Sequence, residues 1–231
     1  TMTVKISKPA INVREELASL RNQGGYEEQK FYLDGLVTNG TFDSDTDWTK
    51  GTGWTISGGI ATSTTASGYL SQIGIVASGV QKTLKVSWDQ VITSGTRFRF
   101  FSRNAVDGGN VTQLSGSVTG GGTFGSGNCN GNGTFTIYVS TNTGLSLKFF
   151  SEANNAGTID NISVFEVDAN NDVIHTMPKG WKPKDVYEDG LLQREGSTHD
   201  YEVVYDGFDY KIKPTVAPSN TTQTCVIGVK A

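Results

Sequence analysis

Histidine, cysteine and methionine are scarce, with two of each in 231 residues. Cys129 and Cys225 lie in different segments with no Cys-x-x-Cys between them, and His175 and His199 stand alone. Thiolate zinc sites and a disulfide framework are therefore unsupported, and each thiol is expected to be buried or idle. Neither histidine has a nucleophile at a recognisable spacing, so triad-type catalysis finds no footing. Charge is sparse too: Asp, Glu, Lys and Arg make up 18% of the chain, with a net charge of -4. An acidic chain with a pI near 5.2 is a poor binder of phosphate backbones, so no nucleic-acid partner is expected. No apolar run approaches the roughly 20 residues of a membrane helix, and no membrane insertion is expected. Lys5 and Lys8 precede no apolar region, so no secretion signal is read there. The Asn-x-Ser/Thr sites at Asn39, Asn110, Asn132, Asn161 and Asn220 are then read as accidents of composition.

Glycine is abundant, at 29 residues, and Thr, Ser and Asn fill much of the rest. That mixture suits a turn-rich all-β protein. At this length the chain can bury a sizeable core in one large domain or two modest ones. The helical signal is confined to the N-terminus. Asn12 and Glu15 form a capping box, and Val13, Leu17 and Leu20 fall on one stripe that stops at Gly24-Gly25. A helix that short needs a surface to bury its stripe, either its own domain or a copy or larger particle. Tyr26 to Leu33 is read as a further helical turn.

From Leu36 to Val167 the pattern has period two. Trp54 to Thr62 reads as a hairpin turning at Gly58-Gly59, and Tyr69 to Val76 as the next strand. Leu84, Val86 and Trp88 alternate with Lys85, Ser87 and Asp89, and Arg97 to Phe100 repeats the alternation. Phe135, Ile137 and Val139, then Leu145, Leu147 and Phe149, mark two more strands, and Ile159 to Val167 the last. The Gly-rich stretch Gly120 to Gly133 lacks phosphate-loop spacing and is read as a flexible loop. Such regular strand and turn spacing indicates a sandwich or barrel. Trp48, Trp54 and Trp88 are expected in its core.

Residues 168–184, with Pro178, Gly180 and Pro183, read as a linker. Residues 185–231 then form a small β module, with hairpins turning at Asp189-Gly190 and Asp206-Gly207 and a closing strand over Thr224 to Val229. A unit that small points to packing on a neighbour or on symmetry mates.

Two end motifs carry a resemblance. Asn39-Gly40-Thr41-Phe42-Asp43 and Ile159-Asp160-Asn161-Ile162 resemble the terminal strands of jelly-roll carbohydrate-binding modules. Met2 to Glu15 looks like the N-terminus of bacteriophage tail-fibre and related virion proteins. Val186 to Gly196, Asp200-Tyr201 and Ala217-Pro218 are similar to a small β module of phage fibres, with Asp189 where Asn is usual. Together these imply an all-β chain with four parts: a helical attachment or oligomerisation segment (1–35), a jelly-roll β-sandwich (36–167), the linker and the small module. They imply a virion structural protein such as a tail fibre or adaptor, homotrimeric, bound to other virion proteins and displaying a host-glycan face. It would be made in the host cytoplasm and carried in the particle.

The alternatives are a freestanding carbohydrate-binding module, or a capsid, head-fibre or decoration protein without a ligand. Depolymerising phage spikes are usually long β-helices with repeats, and none appears here, so the chain is read as a non-enzyme. In jelly-roll sugar modules the terminal strands can hold a structural calcium ion. Carried over, that role would fall to Asp43 and Asp160, with Asp45 and Asp47 as further donors or plain turn residues. For a glycan, the polar parity offers Asp89, Arg97, Arg99 and Tyr138, as one shallow groove or as an ordinary solvated face.

Overall fold

The computed structural model describes residues 28–231 apart from 34, 78, 80, 104–111, 117–125, 143 and 219–222. The Asn12–Leu20 helix and the Met2–Glu15 motif lie outside the described residues. No helix occurs among those described. The first strands are β1 Glu28–Tyr32, β2 Thr49–Lys50, β3 Trp54–Ile56, β4 Ala61–Ser63, β5 Gly68–Val76, β6 Lys82–Ser94, β7 Arg97–Arg103, β8 Thr112–Gly116 and β9 Ser126–Asn130. They continue with β10 Gly133–Thr141, β11 Leu145–Ser151, β12 Ala156–Val167, β13 Val173–Thr176, β14 Trp181–Glu188, β15 Leu191–Leu192, β16 Tyr201–Tyr205, β17 Tyr210–Pro214 and β18 Thr224–Lys230.

Two antiparallel sheets share the main core. One runs β2-β5-β11-β7-β9, and the other runs β4-β12-β6-β10-β8 with β3 paired to β4. Period-two burial builds both. Leu84, Val86 and Trp88 on β6, Phe135, Ile137 and Val139 on β10, and Leu145, Leu147 and Phe149 on β11 all point inward. Trp88 joins the layers. Its ring stacks on Phe100 of the facing sheet at 4.6 Å and on its neighbour Phe135 at 5.5 Å, and Phe149 meets it edge-on at 5.3 Å. Trp48 and Trp54 are buried as the sequence predicts. Gln90, also buried, reaches across the layers, its Nε2 donating to the carbonyls of Cys129 and Gly131.

The turns follow from residue type. Gly58 and Gly59 both take positive φ, as the tight β3–β4 hairpin requires. Asp189 and Gly190 do the same between β14 and β15. Gly40 is needed for another reason: a Cβ there would sit 1.9 Å from the Ile162 carbonyl oxygen. That close approach lets the Ile162 amide donate to the Gly40 carbonyl at 2.9 Å, and so the two end motifs lie against one another.

Four expectations need correction. Tyr26 to Leu33 does not extend a helix where it is described, since Glu28–Tyr32 pairs antiparallel with β18. Pairing with a waiting edge, and Phe31 packing on Trp181 at 5.1 Å, outweigh a weak local helix preference. Residues 168–184 hold β13 and the start of β14, the latter with a register shift beside Pro183 that accommodates its missing N–H. Within Gly120–Gly133, residues 126–130 form edge strand β9, because Cys129 buries its side chain in the core while pairing with Phe98. The small module also takes strands from outside 185–231. β1-β18-β14-β15 forms one sheet and β16-β17 continues through β13 into β12. Between them lie Met177, Val186, Tyr201, Ile212 and Val226, with Phe31 and Trp181 packed alongside.

Candidate ligand-binding face

The alternation that buries Phe98 and Phe100 of β7 turns Arg97, Arg99 and Phe101 to the outer face of the five-stranded sheet. Register places their neighbours. Phe150 of β11 lies opposite Tyr69 of β5 on one side and Arg99 on the other, and Arg99 lies opposite Asn128 of β9. The next outward row is Ser71, Lys148 and Phe101.

These side chains make one continuous surface. Tyr69 and Phe150 stack at 4.6 Å, and Phe101 closes on Tyr69 at 6.3 Å. The Arg99 guanidinium lies over the Phe101 ring at 5.1 Å, and the Lys148 ammonium lies 6.0 Å from the Tyr69 ring. Glu152 holds both arginines: Arg97 Nη2 donates to Oε2 at 3.1 Å, and Arg99 Nη1 sits 3.6 Å from Oε1. Tyr69 keeps 45% of its surface exposed, whereas Phe101 is almost covered by its neighbours.

Asp89 and Tyr138 belong elsewhere. Both sit on strands of the other sheet and face away from the shared core, on the opposite side of the sandwich. Asp89 accepts from Thr134 Oγ1 at 2.6 Å and Asn161 Nδ2 at 2.8 Å. Tyr138 packs against Phe165, Val167 and Val173. The groove expected from Asp89, Arg97, Arg99 and Tyr138 therefore does not exist as one surface. Parity says which side of its own strand a residue occupies, not to which of two sheets that strand goes. Tyr69, Phe101, Phe150 and Lys148 were missed, although Phe150 gave a signal: it is an aromatic on the polar parity of its strand.

The two carboxylates expected to hold calcium do come near each other. Asp160 lies opposite Asp89 in the ladder. Burial pushes its carboxyl above the usual range, and the charges of Asp89 and Asp43 add to that, against a hydrogen bond from the Asn161 amide. Asp43 is exposed and accepts from Thr41 Oγ1 at 2.6 Å. Asp45 pairs with Lys50 instead. Calcium takes six to eight oxygens, and among the described residues no group of three or more His, Cys, Asp or Glu is placed to hold a metal ion. Asn39 serves the loop, its Nδ2 donating to the carbonyls of Ser44 and Thr46. These residues do not fit a calcium shell as they stand. The two end motifs are joined instead by the backbone bond from the Ile162 amide to the Gly40 carbonyl.

No family model matches the chain, and no curated protein or solved structure matches it either.

Proposed function

We propose that the chain is a structural component of a bacteriophage particle, a fibre or adaptor that assembles as a homotrimer and turns a jelly-roll domain toward host-surface glycans. It works by binding, and no catalytic step is assigned to it. Strand order supports the jelly roll. Count eight strands as β4 to β7 and then β9 to β12. One sheet then reads 1-8-3-6 and the other 2-7-4-5, the order of two nested Greek keys, with β8 added beyond the sixth. The observation that carries the binding role is the outer face of the five-stranded sheet, where Tyr69, Phe150 and Phe101 sit among Arg97, Arg99, Lys148 and Asn128. Ring surface beside fixed polar groups is what a sugar needs.

Assembly is supported by the C-terminal surface. Leu191, Leu192, Phe208 and Val216, all on the C-terminal unit, are 71%, 60%, 86% and 79% exposed, apolar side chains that contact with other subunits would bury. Three copies would turn weak single-site contacts into avidity. Light scattering of the full chain should give three times 24.7 kDa. A glycan array should show binding that a Tyr69→Ala variant loses. A monomer that binds no glycan would refute the proposal.

A further inference from the structure

We infer that the outer face of the five-stranded sheet is built for acidic polysaccharides, whose sugars carry carboxylates, rather than for neutral ones. The inference rests on the glycan-binding reading above and narrows its ligand. Its first support is charge. The whole chain carries -4, yet among the described residues the charged groups placed on this face are Arg97, Arg99 and Lys148 against Glu152. A locally positive face on an acidic protein attracts anionic chains at short range, while salt screens the repulsion from the rest of the surface.

Ring orientation is the second support. A neutral pyranose stacks on an aromatic ring offered flat to solvent. Here the rings stand side by side. Tyr69 and Phe150 are cross-strand neighbours stacked at 4.6 Å and 30°, so each covers a face of the other. Side chains stand roughly perpendicular to a sheet, which turns the ring edges outward. Ring edges carry the positive end of the aromatic quadrupole and favour anions.

The third support is the state of the arginines. Glu152 engages Arg97 closely at 3.1 Å but Arg99 only at 3.6 Å, and the Arg99 side chain is 42% exposed. Its planar fork, steadied from below by the Phe101 ring, is set to take a carboxylate through two parallel N–H bonds. Arg97 Nε is buried with no hydrogen-bond partner, a donor next to the same pair.

The test is calorimetric titration of the full chain with a panel of acidic oligosaccharides (galacturonate, mannuronate and sialylated oligomers) and neutral oligomers of matched length. Acidic oligomers are expected to bind roughly tenfold more tightly, the return of one bidentate charged contact. That margin should shrink as salt is raised. Arg99→Gln should abolish the margin with the melting temperature unchanged, and Tyr69→Ala should weaken binding of both classes. Equal or tighter binding of neutral oligomers, or an acidic margin that survives Arg99→Gln, overturns the inference. If Tyr69→Ala still weakens binding in that case, the glycan-binding reading stands without it. No binding by any oligomer overturns both.

Discussion

His175 ties stability to pH at the seam between the sandwich and the C-terminal unit. It sits on β13, buried, with Phe165 edge-on at 6.1 Å and its Nε2 without a hydrogen-bond partner. Burial lowers its pKa from 6.5 to about 4, and only Glu166 pulls the other way. Lys82 and Tyr32 border the same cleft, with Lys82 already paired to Glu166 at 2.5 Å. The folded form thus holds the neutral imidazole while the unfolded chain accepts a proton. Stability from this group is complete above pH 6.5 and drains away as pH falls toward 4. At about 1.4 kcal/mol per pKa unit, the full loss is roughly 3 kcal/mol, with about 2 kcal/mol gone by pH 5. His175→Phe removes the titration without breaking a hydrogen bond at Nε2. Guanidinium unfolding of both proteins from pH 8 to pH 5 isolates the effect, because the carboxylates titrate alike in each. The wild type should lose about 2 kcal/mol more than the variant over that span. Above pH 7 the variant should be at least as stable, since it relieves an unsatisfied buried nitrogen. Parallel stability curves for the two proteins would refute the reasoning.

Two further substitutions test the junction of the end motifs. Gly40→Ala places a Cβ 1.9 Å from the Ile162 carbonyl oxygen and 2.7 Å from Val37, so the loop must move. A loss of roughly 2 kcal/mol or more is expected in chemical denaturation, and a wild-type midpoint would mean that the contact does not hold the ends together. Asp160→Asn should raise the melting temperature at neutral pH. Burial and the Asp89 and Asp43 charges raise this carboxyl's pKa, so ionisation costs the folded state stability as pH rises from the ordinary carboxylate range through the raised value. The gain should vanish in acid, where Asp160 is protonated, and a variant less stable at neutral pH would show that the charge is wanted, as by a bound cation.

The sandwich was legible because period-two burial is a property of each strand alone. Leu84, Val86 and Trp88 announce an inner face whatever lies opposite, and Gly58-Gly59 and Asp189-Gly190 announce turns whatever they join. What failed depended on partners distant in sequence. Glu28–Tyr32 has no strong strand pattern and becomes β1 only because β18, near the far end of the chain, offers it an edge. Ser126–Asn130 hides its inner face, since Cys129 is its one apolar side chain and its companion on the same parity, Gly127, has none. The candidate face was half legible for the same reason. Arg97 and Arg99 declare themselves outward, but that Tyr69 and Phe150 stand beside them follows only from β11 lying between β5 and β7.

β12 is where these local patterns become one object. Its inner side pairs with β6 along nearly its whole length, while its other edge takes β4 at the start and β13 at the end. β13 then pairs with β17, so one hydrogen-bonded ladder runs from the sandwich into the C-terminal unit without a free hinge. Lys213 reinforces the passage by pairing with Asp168 at 3.0 Å and Asp172 at 2.7 Å in the turn between β12 and β13. For the proposed role this continuity matters. Avidity depends on several weak sites meeting a surface together, and that is lost when each domain swings on a slack tether. The proposed binding face lies on the other sheet, and its direction relative to this ladder is set by the shared core, where Trp88 of β6 stacks on Phe100 of β7.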